Sequence, residues 1–206
     1  MKSEFHETKE RLIQTTVELI DEMSLESISS ALILERSGVS KGSMYHFFDD
    51  LGDLLDAAYA RRFSYLVKIS ADYLRQIVET ANDAEEFFAL LRKLTIRTQE
   101  RGKSSTRFER ARMLARAEGN ERFRKILGDI QQELTDTMAE SVRMAQEKGW
   151  VTKKYQPRTI SVFIQSYTLG RVVDEIVENH MNDEDWNNLI HAIAETVFGN
   201  LKSATE

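Results

Sequence analysis

SGVSKGSMYHFF, residues 37–48, is the stretch that decides the fold. Gly38 suits the residue just past a helix end, because without a Cβ it takes positive φ at no steric cost. Ser40 suits the N-cap of the next helix, where its hydroxyl accepts from a backbone N–H that the first turn leaves without a partner. Lys41 to Phe47 then make a short helix that opens on polar residues and closes on the aromatic pair Phe47-Phe48. Upstream, Leu12, Ile13, Thr16, Leu19, Ile20 and Met23 recur three and four apart through residues 7–23, one face of an amphipathic helix. Ser24 to Ser27 make a short break. Ser29 or Ser30 then caps a short helix that carries Leu32, Ile33 and Leu34. Two short helices joined by a tight Gly-containing turn make a helix-turn-helix.

The helical pattern continues downstream. Asp50, with Asp53 three residues on, resembles a capping box and opens a fourth helix to about residue 80. Leu54, Leu55, Ala58, Phe63, Leu66 and Ile69 are among its apolar positions. Asn82-Asp83 starts a helix through Phe87, Leu90, Leu91, Leu94 and Ile96. Arg101 to Ser105 is a polar break, Thr106 to Ala117 a shorter helix, and Gly119-Asn120 a turn. Glu121 to Lys148 is a long helix stopped by Gly149. Pro157 sits in the first turn of a helix expected to reach His180, since proline is tolerated there. Asp183 is expected to cap the last helix, which contains Trp186, Leu189, Ile190, Ile193, Val197 and Phe198. The expectation is an all-α chain of about nine helices, with a helix-turn-helix domain over residues 1–50 and a larger helical domain over residues 51–206.

Composition narrows the function classes. Hydrophobic residues are 41% and charged residues 30% of the chain, with one proline and nine glycines, which suits a soluble helical protein. No apolar run approaches the roughly 20 residues of a membrane span. The opening MKSEFHETKE is too charged for a signal peptide. The absence of cysteine excludes disulfides and thiolate metal sites and fits a reducing cytoplasm, so a cytoplasmic protein with no membrane partner is expected. The four histidines, His6, His46, His180 and His191, lack metal-ligand spacing on any helix. No Gly-rich phosphate loop or nucleophile elbow occurs. Neither an enzyme nor a cofactor or metal is expected.

The string Gly38-Val39-Ser40-Lys41-Gly42-Ser43-Met44-Tyr45-His46-Phe47-Phe48, spaced correctly from the helices on either side, resembles the TetR family of transcriptional regulators. The motif-level likeness covers residues 8–58. The remaining length matches that family's ligand-binding and dimerisation domain in architecture alone. Ser37 stands where the family usually has alanine, Ile33-Leu34 where Ile-Ala is frequent, and Ser24 where glycine is common. Leu51 stands where a lysine commonly opens the fourth helix, so one expected phosphate contact is missing. The resemblance implies a ligand-responsive regulator, by family expectation a repressor. It would bind a palindromic operator in double-stranded DNA as a homodimer and be released by a small-molecule effector that re-angles the fourth helix.

In a helix-turn-helix the second helix enters the major groove N-terminal end first. That end presents Ser40, Lys41, Gly42, Ser43 and Met44. Gly42 lets the backbone come close to DNA, Lys41 can reach a guanine edge or a phosphate, and Ser43 can bond either. Met44 has two readings, a contact to a thymine methyl or inward packing. Tyr45 and His46 are placed for phosphates. Ser29 or Ser30 offers a hydroxyl beside free helix N–H groups, a natural phosphate site. Charge argues the other way. The chain carries −6, and residues 1–50 hold five basic residues (Lys2, Lys9, Arg11, Arg36, Lys41) against ten acidic ones, while residues 91–125 hold twelve basic against four acidic. A shallow salt dependence of DNA binding is therefore expected. The alternative is a helical protein-interaction module with a degenerate helix-turn-helix that does not bind DNA.

The second half is rich in large apolar side chains. Phe87, Leu91, Met113, Leu114, Phe123 and Phe163 either line a cavity for a small, partly apolar effector or pack the bundle. Arg110, Tyr167 and Arg171 sit among otherwise buried positions, as do Gln165 and Asp174. Such groups need partners, either one another or a ligand. The basic run from Arg97 to Arg116 has three readings, a solvated face, countercharge to the acidic N-terminal domain, or attraction for an anionic ligand, of which the first two are favoured. Phe163, Tyr167, Ile176, Trp186, Ile190, Ile193 and Val197 give the last two helices broad apolar faces. These are expected to pair with a second copy as a four-helix interface.

Overall fold

Each turn around residues 37–48 closes on a local hydrogen bond, and those bonds set the helix boundaries. In the computed structural model, which describes residues 2–199, α1 spans Lys2–Glu22, α2 Ser30–Ser37 and α3 Lys41–Phe47. The Ser29 hydroxyl accepts from the Leu32 N–H at 3.2 Å and starts α2. Gly38, at φ 65°, ends it, its N–H donating to the Leu34 carbonyl. The Ser40 hydroxyl accepts from the Ser43 N–H at 3.1 Å and starts α3. At the head of α4 (Leu51–Thr80) the Asp50 carboxylate accepts from the Asp53 N–H, and the Asp53 carboxylate accepts from the Asp49 N–H. This is the reciprocal logic of a capping box.

The remaining helices are α5 (Ala84–Gln99), α6 (Ser104–Arg116), α7 (Glu121–Glu147), α8 (Pro157–Gly170) and α9 (Asp183–Ile193). Short 3-10 turns cover Leu25–Ser27, Arg101–Lys103 and Arg171–Val173, and a π turn covers Ala194–Phe198. The described residues contain no strand, only an isolated antiparallel bridge between Val151 and Gly199. No helix among them is long and apolar enough to cross a membrane.

Two boundaries depart from the sequence-based expectation. The helix from Pro157 ends at Gly170 rather than near His180. Long-range bonds hold the following segment in another conformation. Arg171, fully buried, donates to the Gln99 carbonyl and the Asp183 carboxylate. The Asp174 carboxylate accepts from the Met181 N–H. The cap of α9 is Asn182, whose Oδ1 accepts from the N–H groups of Glu184 and Asp185 at 2.8 and 3.0 Å. Asp183 is the first helical residue instead.

The chain forms two compact units. Of the described residues, the first comprises 2–65 and 116–130, and the second 66–115 and 131–199. The boundary expected at residue 50 lies inside the first unit. Leu12, Leu19, Ile33, Met44 and Leu54 are fully buried in the first core, with Val39 and Phe48 beside them. Burying such side chains contributes about 1.5–3 kcal/mol each. The first unit also buries a charge. Asp56, with no exposed surface, accepts two hydrogen bonds from Arg116 and one each from Asn120 and Arg122. The second core gathers Val78, Phe87, Phe88, Val142, Ala145 and Ile160.

Candidate nucleic-acid interface and ligand cavity

The residues at the head of α3 divide cleanly into inward and outward sets. Met44 has no exposed surface, so of its two readings the structure takes inward packing and removes it from the candidate DNA contacts. Gly42 and Lys41 are exposed, Tyr45 is 48% exposed and His46 is exposed. No heavy atom lies within 4 Å of where a Cβ on Gly42 would sit, so the backbone there is open to close approach. Lys41 Nζ lies over the Tyr45 ring at 5.9 Å and Lys9 Nζ over the Phe48 ring at 5.6 Å. The Ser43 hydroxyl is 2.9 Å from that of Ser40, so the two serines share one hydrogen bond beside the helix end. Ser29 is the cap of α2, and Ser30 is its half-buried first residue.

Three arginines of the first unit are held by acids. Arg36 pairs with Glu22, Arg61 with Glu10 at 2.6 Å, and Arg62 with Asp21. The side chains that remain outward at the head of α3 thus form a small polar patch with one lysine, Lys41.

The second unit contains a cavity of about 110 Å³. Five of the expected ligand residues line it: Phe87, Leu91, Arg110, Phe163 and Tyr167. Four do not. Met113 is buried away from the cavity and Leu114 is 37% exposed. Phe123 is buried in the first unit. Arg171 is consumed by Gln99 and Asp183, which makes it a structural tie. Arg107, a member of the basic run read as a solvated face or countercharge, is also buried, donating to Glu175 and to the carbonyls of Thr98 and Glu100.

Most cavity walls are apolar, among them Leu74, Val78, Phe88, Leu134, Met138 and Phe198. The polar lining is sparse and specific. Burial lowers the pKa of the Arg110 guanidinium. Burial raises the Tyr167 phenol, opposed by hydrogen bonds with Thr95 and Thr168. His191 is 5% exposed and its Nε2 has no hydrogen-bond partner among the described residues. Burial, then the charge of Arg92, lowers its pKa, against a smaller opposing pull from Glu195. His191 escaped the sequence reading because a lone histidine without ligand spacing carries no local signal.

The residues expected at a dimer face separate likewise. Ile176 is 74% exposed, and Phe163 and Val197 are exposed, with Val162, Val173, Val177 and Leu189 adding to the exposed apolar surface. Ile193 is half-buried. Ile190 is buried within this chain and lines the cavity with Tyr167. Trp186 is half-buried, its Nε1 donating to Gln99 Oε1 at 2.9 Å.

No family model matches the chain. The HTH-type transcriptional regulator BetI of Proteus mirabilis is 44% identical over 50 residues, 24% of this chain and 25% of that protein. An uncharacterised HTH-type transcriptional regulator of Mycobacterium tuberculosis is 30% identical over 77 residues, 37% of this chain and 38% of that one. The chain therefore matches between a quarter and about two-fifths of the length of these relatives. Among solved structures, one from Mesorhizobium loti described as a TetR-family transcriptional regulator superposes with a TM-score of 0.69 at 13% identity, over 95% of this chain and 98% of that chain. Reduced NemR of E. coli gives 0.62 at 14%, over 95% and 100%. A transcriptional regulator from Saccharomonospora viridis in complex with choline gives 0.62 at 17%, over 94% and 98%. At these identities the structural likeness establishes the fold.

Proposed function

We infer, from the TetR-family fold of this chain and from the helix-turn-helix it shares in sequence with HTH-type regulators, that it is a ligand-responsive transcriptional regulator. It binds a palindromic operator as a homodimer, acts as a repressor, and lets go when a small molecule enters the second unit. The observation that carries this reading is the head of α3. Lys41, Gly42, Ser43 and Tyr45 share one outward helix end, capped by Ser40 and braced from beneath by buried Met44. In this fold that end enters the major groove. Ser29 and Ser40, each at a helix start, are candidate phosphate partners, with Tyr45 and His46 beside them.

The other two parts of the proposal have their own support. A mostly apolar cavity with a few polar groups has the make-up of a small-molecule site. The exposed valines, isoleucine and phenylalanine of the α8–α9 region form the kind of apolar surface that a second copy covers. α4 and α7 contribute residues to both units, which makes them candidates to carry the effector's influence to the DNA-binding end.

The ion pairs that hold Arg36, Arg61 and Arg62 on acids favour a second reading, a helical interaction module that no longer binds DNA. Sequencing the fragments that the purified protein retains from sheared genomic DNA separates the two. Enrichment of an inverted repeat is expected of the regulator. Retention indistinguishable from input sinks it and favours the interaction module.

A further inference from the structure

We propose that Tyr45 is a positioning residue: its ring holds the Lys41 ammonium against the outward face of α3, where Lys41 reads one guanine in each half of the operator. This rests on the proposal that α3 enters the major groove, and adds which base is read there and what aims the lysine.

The spacing sets the geometry. Lys41 and Tyr45 are four residues apart on α3, so they are neighbours on one helix face. Both are exposed. A long side chain on a helix leans back over the preceding turn, which lays the Tyr45 ring along the turn that carries Lys41. Lys41 Nζ lies over that ring, 5.9 Å from its centroid, within the range of a cation–π contact. Gly42 beside them has no side chain, and nothing lies within 4 Å of where its Cβ would sit. That position leaves the pair uncrowded.

The ring also decides what the lysine is free to do. Arg36, Arg61 and Arg62 rest on carboxylates, which neutralise them, whereas Lys41 rests on a ring that orients it and leaves its charge whole. An ammonium on a flexible four-carbon stem otherwise samples many positions. Held over Tyr45, it lies along the outward face of α3 instead of reaching past the helix end. In a helix bound in the major groove that face meets base edges, and phosphates flank it. Guanine O6 and N7 both accept, and a lysine donates to the two together. The Ser40 and Ser43 hydroxyls, 2.9 Å apart, hold the neighbouring polar group likewise. A surface ordered before DNA arrives lowers the ordering cost of binding.

Two measurements on the full chain test this. The first needs no DNA. The Tyr45 ring current is expected to move the Lys41 CεH2 proton signal upfield, the signal being assigned by its loss in Lys41→Arg. Tyr45→Phe should keep that shift and Tyr45→Leu remove it. A signal that Tyr45→Leu leaves in place overturns the positioning role. The second uses a duplex that the wild-type protein enriches from genomic DNA, with each guanine in turn replaced by 7-deazaguanine, which lacks the N7 acceptor. One position in each half is expected to lose about tenfold or more in affinity, the yield of one hydrogen bond to a charged group. In Lys41→Ala that loss should vanish. Tyr45→Phe should keep it, and Tyr45→Leu reduce it about twofold to fivefold, the range of an exposed cation–π contact. Each loss is a ratio of two affinities of the same protein, so partial unfolding of a variant leaves it unmoved. Tyr45→Phe matching Tyr45→Leu would assign Tyr45 to its hydroxyl, as a phosphate contact, and overturn the positioning role. No sensitive guanine in the wild type, or one that stays sensitive in Lys41→Ala, overturns the guanine assignment while the regulator reading stands. Failure to enrich any duplex overturns the regulator reading and the guanine assignment with it, and the proton shift still decides what Tyr45 does.

Discussion

Met44 and Lys41 lie three residues apart on one short helix and divide its two tasks between them. Met44 is fully buried and Lys41 exposed. Met44→Ala is therefore expected to lower unfolding stability by about 2–5 kcal/mol in denaturant titrations, as core truncations of this size do. Lys41→Ala should leave stability within about 0.5 kcal/mol and weaken operator binding about tenfold or more. Sequence alone left Met44 open, because a three-and-four spacing cannot say which side of a seven-residue helix meets the core. Asp56 was not legible at all. Its partner Arg116 lies 60 residues away in the chain, and no local pattern announces a carboxylate that α4 buries completely. Asp56→Ala leaves Arg116 and Arg122 without their shared acceptor and is expected to cost about 3 kcal/mol. His191 gives a pH signature. Because burial and Arg92 lower its pKa in the fold, the unfolded chain takes up a proton near pH 6.5 that the folded chain refuses. Its contribution to stability is thus present above about pH 6.5 and is lost as the pH falls toward the folded value. Melting curves between about pH 8 and 5 should show less acid sensitivity in His191→Gln than in the wild type.

Helix starts and stops were the most legible part of the chain, because the groups that set them are neighbours in sequence. Ser29, Gly38, Ser40, Asp83 and Gly149 all act through bonds or dihedrals within a few residues. The end of α8 was not legible for the opposite reason. Val172, Val173, Ile176 and Val177 continue a helical pattern past Gly170, but the buried Arg171 is tied to Gln99 and Asp183, respectively 72 and 12 residues distant. Tertiary bonding overrides the local pattern there. At the same scale, Ser40→Ala should cost about 1 kcal/mol of stability and also weaken DNA binding, since the same hydroxyl caps α3 and stands beside the groove. The salt dependence of operator binding belongs here too. Arg36, Arg61 and Arg62 are held by acids, and the head of α3 itself offers one lysine, Lys41. A plot of log affinity against log salt should be shallower than a slope of about −5 for the dimer. A steeper one would mean that the contacting face has been misjudged.

Across the whole molecule, the fold was legible as an all-α chain from scarce breakers and continuous helical periodicity. The cavity was partly legible. Sequence patterns marked Phe87, Leu91 and Phe163 as large and apolar, but periodicity does not distinguish a residue that lines a void from one that fills it, as Met113 and Phe123 show. The proposed dimer face makes its own prediction. Ile176 is 74% exposed beside Val173 at 72%, an apolar surface that a monomer would leave in water. Light scattering on the eluting protein should give twice the chain mass at micromolar concentration. Ile176→Glu should give the single chain mass with an unchanged circular dichroism spectrum.

On the proposed function, the head of α3 reads the major groove of an operator. Methylation interference on an enriched duplex, with wild-type protein and with Lys41→Ala, tests it most directly. Two patches of major-groove interference are expected, with centres one helical turn or a multiple of it apart (about 34–36 Å per turn). Both should fade together in Lys41→Ala. Interference confined to the minor groove, or a pattern that Lys41→Ala leaves intact, contradicts it.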